Sequence, residues 1–191
     1  MTWRWGILAL GVVLLLGSGW VSTGCGGGGG GGGPTSPPPP PSSGISFNPD
    51  SGGGSNSISL SSGGGSGSLF ILDVDASSVT DLYGVSFILH YPNDLLAYSR
   101  NSESEGTFLS ENGAVATDLQ ASERQAGEVT VGISRLGEVP GATGSGLLLS
   151  LEFTRRSAGT GRMDMMDHDA LDSFGEVQVE VTWVSGSVTV R

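Results

Sequence analysis

Few residues of this chain could do chemistry: a run of aspartates, two histidines and one cysteine. Asp164, Asp167, Asp169 and Asp172 crowd into "DMMDHDALDS", residues 164–173. Carboxylates of this kind are hard oxygen ligands that attract Ca²⁺. An EF-hand loop starting at Asp167 could use Asp169, but Leu171 would then stand at a ligand position and Asp172 at the glycine position. The EF-hand pattern therefore fails. What remains is either a Ca²⁺ site of another, loop-borne geometry or a solvated acidic loop between strands. His90 and His168 belong to no His-x-His or His-Glu-x-x-His spacing, and a zinc centre needs such partners. Serines are plentiful, yet no Gly-x-Ser-x-Gly elbow occurs. The 19 acidic residues include no pair that the sequence marks out as the two carboxylates of a glycosidase. Binding is expected, and catalysis is not.

Charge narrows the class of partner. The chain carries 8 arginines, no lysine and 19 acids, for a net charge of −11. Nucleic-acid binding needs clustered cations to replace counterions, so no nucleic-acid partner is expected. The same acidity favours solubility. The single cysteine, Cys25, excludes an internal disulfide and any cysteine-based zinc site.

Cys25 has a more specific context. Arg4 precedes "ILALGVVLLL", residues 7–16. That apolar run is shorter than the roughly 20 residues of a membrane span and suits the core of an export signal. "STGC", residues 22–25, resembles the lipobox of bacterial lipoproteins, although Ser22 stands where the pattern prefers leucine. The resemblance implies a signal peptide over 1–24, removed before a lipidated Cys25. Gly26 in the next position implies sorting to the outer membrane. Eight glycines, 26–33, and the proline-rich "PTSPPPPP", 34–41, follow. Glycine runs are flexible and proline runs extended, so residues 25–44 read as a disordered tether.

From residue 45 the texture becomes that of strands. Apolar residues alternate in "SLFILDVDA" (68–76), "VSFILHY" (85–91), "EVTVGISR" (128–135), "GLLLSLEFTR" (146–155), "EVQVEVTW" (176–183) and "GSVTVR" (186–191). A period of two marks half-buried strands, and six such runs without an amphipathic helix predict an all-β sandwich or barrel over 45–191. "NSISL" (56–60), between two "SGGGS" loops, reads as a short, weakly held strand, and "NDLLAYS" (93–99) as strand or helical turn. Trp183 shares its parity with Val177, Val179 and Val181, which points it at the core. Tyr83 lies in a loop and no row of exposed aromatics is readable.

Four segments, taken in order, resemble the cohesin domain: "ISFNPDS" (45–51), "DLYGVSFILHYPNDLL" (81–96), "GEVTVGISRLGEVPGATGSGLLLSLEFT" (127–154) and "ALDSFGEVQVEVTWVSGSVTV" (170–190). The resemblance implies a jelly-roll β-sandwich of about nine strands. It also implies a non-catalytic role in which one sheet face grips a dockerin-type protein module, in systems linked to polysaccharide degradation. On this chain the gripping strand would be 85–91, with Ser86, Ile88 and His90 outward. Gly84 and Ser86 stand where the family often has Asn and Asp, and Pro92-Asn93 replaces its Asp-Pro bend. Two other readings of the same sandwich are a carbohydrate-binding module for a polysaccharide and a structural or adhesion domain of the envelope.

Overall fold

The computed structural model describes residues 44–191. The expected signal peptide, Cys25 and nearly all of the expected tether lie outside the described residues. The chain forms twelve strands and no helix among the described residues: β1 Ile45–Pro49, β2 Ser57–Gly64, β3 Leu69–Leu82, β4 Gly84–His90, β5 Leu96–Tyr98, β6 Ser104–Glu105, β7 Thr117–Gln125, β8 Glu128–Arg135, β9 Ala142–Arg155, β10 Gly159–Leu171, β11 Thr182–Val184 and β12 Gly186–Val190. They build two sheets. One runs β1-β12-β10-β4-β8-β7, the other β11-β2-β3-β9-β5, with β6 pairing β9 as well. All the pairings are antiparallel except that of β11 with β2. The sandwich is the expected all-β fold. Its count exceeds nine partly because β5, β6 and β11 have three residues or fewer.

Alternation decides which side chains go inside. Val85, Phe87 and Leu89 of β4 are buried, as are Val129, Val131 and Ile133 of β8. From the facing sheet, Ile58, Leu60, Phe70, Leu72, Val74, Leu149, Leu151 and Phe153 meet them. Each large side chain so buried contributes about 1.5–3 kcal/mol. Tyr91 meets Phe153 edge-on at 5.1 Å between ring centroids, and Tyr98 packs on the same ring at 5.7 Å. Arg135 is the one buried arginine among the described residues. Its guanidinium donates to the Pro140 carbonyl and to Glu111, which ties two loops to the end of β8.

Three local expectations change. Residues 176–183 form a strand only from Thr182. Before it the chain loops out, and Val177 and Val179 are exposed, because β10 offers this segment only one isolated bridge, Leu171 to Val177. The acidic run at 164–171 is not a loop but the second half of β10. Finally "NSISL" is no weak fringe: Ile58 and Leu60 of β2 are wholly buried.

Candidate functional site

The outward face of the sheet that holds β10, β4, β8 and β7 is assembled row by row from strand register. The first row is Asp164, His90 and Glu128; the second is Met166, Ile88, Thr130 and Ser122; the third is Asp169, Ser86, Gly132 and Gln120; the fourth is Leu171, Gly84, Ser134 and Asp118. Directly paired residues share a face, so these rows form one continuous surface over β10, β4, β8 and β7.

Ser86 and His90 are exposed and Ile88 is half-buried, all three on the side of β4 opposite Phe87 and Leu89. His90 Nε2 lies 3.6 Å from Glu128 Oε1 across the strand pair. Beside Ile88, Met166 is 49% exposed. It is the one strongly exposed large apolar side chain that lies on a strand among the described residues. Met166 and Ile88 thus make an apolar centre with a rim of Ser86, Thr130, Asp164 and Asp169. The sequence pattern predicts the outward set of β4. It does not reveal Met166, because the aspartates around it hide the alternation of Met163 and Met165, both buried.

The third and fourth rows enclose a shallow notch of about 270 Å³, lined by Gly84, Ser86, Asp118, Gln120, Gly132, Ser134 and Leu171. Its floor is glycine. A Cβ built on Gly132 would meet nothing within 4 Å, whereas one on Gly84 would press against the Ser134 Cβ at 2.9 Å. Gly84 therefore lets β4 and β8 close up, while Gly132 simply leaves space.

The four aspartates do not converge. Asp164 accepts from Arg162 at 2.6 Å, and Arg162 also holds Asp50 through two bonds of 2.8 Å. These charge-assisted bonds hold the Asp50 carboxyl below its ordinary range. Asp167 sits at the β10 bulge with φ 47°. Asp169 faces outward opposite Ser86. Asp172 accepts the Phe174 and Glu176 backbone N–H groups at 2.9 Å each, which closes a turn. Among the described residues no group of three or more His, Cys, Asp or Glu is placed to hold a metal.

The bulge also projects His168, whose ring stacks on Trp183 at 4.5 Å and 13°. Trp183 packs against the core through Phe87, 6.1 Å away. It reaches the core as expected from its parity, as does Val181, whereas Val177 and Val179 do not. Tyr83 donates to the Gly137 carbonyl at 2.6 Å and so is tied to the β8–β9 loop.

No family model matches the chain, and no curated protein matches it. The fold, by contrast, is that of solved cohesin domains. A non-cellulosomal cohesin from the hyperthermophilic archaeon Archaeoglobus fulgidus shares 20% identity over 70% of this chain and 89% of its own, at a TM-score of 0.53. The second type II cohesin module of the cellulosomal adaptor ScaA scaffoldin of Acetivibrio cellulolyticus shares 14% identity over 72% of this chain and 98% of its own, at 0.60. The sixth cohesin of scaffoldin B from Acetivibrio cellulolyticus, solved in complex with a Cel5 dockerin, shares 17% identity over 72% of this chain and 100% of its own, at 0.58.

Proposed function

We propose that the protein is a non-catalytic docking module that receives a dockerin-type protein partner on the outer face of β10, β4, β8 and β7. The observation that carries this reading is the Met166–Ile88 centre, apolar and uncovered, on a sheet of the cohesin fold. Association through such a face draws on a small apolar centre that loses water, framed by a polar rim. The sequence adds the setting. A lipid on Cys25 would hold the module at the outer membrane, and the glycine and proline tether would carry the sandwich away from the lipid surface. The partner would then be an enzyme or adaptor of polysaccharide breakdown that carries the dockerin. A glycan-holding module has less support, since these four strands direct no Phe, Tyr or Trp outward.

Binding to a panel of calcium-loaded dockerin modules, with and without chelator, tests the reading. The Ile88→Asp variant is expected to lose affinity by at least about 30-fold, the scale of a central contact residue, with its melting temperature lowered by no more than a few degrees. Soluble polysaccharides run alongside distinguish a glycan module: retention on a glycan with no dockerin bound would overturn the docking reading. For the anchor, Cys25→Ser in a bacterial host is expected to release the full chain from the membrane fraction. Retention there would overturn lipid attachment at this residue.

A further inference from the structure

We propose that the glycine-floored notch over Gly84 and Gly132 is a specificity pocket. It takes one apolar side chain of the docked protein, and a neighbouring Lys or Arg of that partner reaches Asp169 or Asp118. The inference rests on the docking reading above and names what the partner must present. Its first support is shape. Gly132 lies in the middle of β8, where a β-branched side chain would fit into open space and strengthen the strand. With hydrogen there instead, the backbone of β8 is laid open beside Ile88 and Met166, one row away. Leu171 forms one wall, and Val177, bridged to Leu171 and half exposed, extends that wall outward. The opposite walls are the short side chains Ser86 and Ser134 with the stem of Gln120. A pocket with a backbone floor and a leucine wall suits a leucine-, isoleucine- or methionine-sized group better than a polar one.

The second support is charge complementarity. Asp169 makes no ion pair among the described residues. Asp118 accepts only the Gln120 side-chain amide, at 3.0 Å. Arg135, next to Ser134 on β8, is buried and committed to Glu111 and the Pro140 carbonyl, and Arg162 of β10 is committed to Asp50 and Asp164. The notch is therefore edged by carboxylates that no cation among the described residues neutralises. A cationic residue beside the inserted apolar group would do so, and it would speed encounter at low salt.

Gly132→Val is the direct probe, because its Cβ meets no atom and its φ lies outside the left-handed region. Dockerin binding is expected to weaken at least tenfold while the melting temperature stays equal or rises. Gly132→Ala should weaken it less. Asp169→Asn should lower affinity a few-fold and flatten its salt dependence. If Gly132→Val binds within twofold of wild type while Ile88→Asp does not bind, the notch is wrong and the docking face stands. If both variants bind as wild type does, or if no dockerin of the panel binds the wild-type chain, the docking reading fails and the notch with it.

Discussion

The two outer faces of this sandwich are made of the same kinds of residue and finished in different ways. On the sheet of β2, β3 and β9 the outward residues of β3 include Asp73 and Asp75, and both carboxylates are satisfied within the sheet. Ser61 Oγ donates to Asp75 at 2.7 Å, and Ser150 Oγ donates to Asp73. The space at Gly63 of β2 is filled too, since the Asp73 carboxylate lies where its Cβ would go. On the sheet of β10, β4, β8 and β7, Asp169 has no ion-pair partner among the described residues, Met166 is exposed, and the space over Gly132 is open. At these positions one face completes its own hydrogen bonds and the other leaves groups for something else to complete. An acidic composition alone would not separate them. The partners of these particular carboxylates and glycines do.

Substitutions can break that comparison. The largest expected effect comes from one step along β4. Phe87→Ala removes a wholly buried ring and is expected to cost about 3–5 kcal/mol in a urea melt. Ile88→Asp, its half-buried neighbour on the other face, should cost only about 1 kcal/mol, the span of strand propensity, and act chiefly on binding. Equal destabilisation by the two would mean that the outward face of β4 is covered. Next in size is Asp73→Ala. It leaves the Ser150 hydroxyl, on a buried residue, without its acceptor, a loss of about 1–3 kcal/mol. Its dockerin affinity should not move, and a drop would put the partner on the wrong sheet.

The smallest effect is in pH. Asp81 accepts from Ser173 Oγ and from the Gly141 N–H, Glu123 from the Tyr91 hydroxyl and Arg100, and Asp50 from Arg162. These bonds hold all three carboxyls below their ordinary values. A lowered folded value means that the stabilisation is complete above the unfolded value of about 4. It is lost as pH falls through the folded values. The melting temperature should therefore be flat from neutral pH down to about 5 and fall below about 4. Asp81→Asn should make that fall shallower. A melting temperature that rises on acidification would contradict the assignment.

Much of the sandwich was legible where alternation ran unbroken. The bounds of β8, and those of β4 to within a residue, follow from Val-x-Val and Val-x-Phe patterns, and with them the outward set Ser86, Ile88 and His90. Strand β7 gave little signal, because an edge strand with Leu119 and Ala121 as its inward apolar residues looks like polar linker. In β10 the bulge at Asp167 and His168 broke the period, and the aspartates read as a loop. Residues 176–181 erred in the opposite direction. A valine alternation was present, but pattern says nothing about whether a partner edge is free. The notch was invisible for a related reason: Gly132 within a strand reads as a weakness until its neighbours are known to leave the space empty.

The most direct test of the docking face is amide chemical-shift mapping of the isotope-labelled chain as a calcium-loaded dockerin is titrated in. The account predicts that the perturbed amides cluster at Ser86, Ile88, Thr130, Gly132, Met166 and Asp169. A cluster at Ser61, Asp73, Asp75 and Ser150, on the opposite sheet, would contradict it.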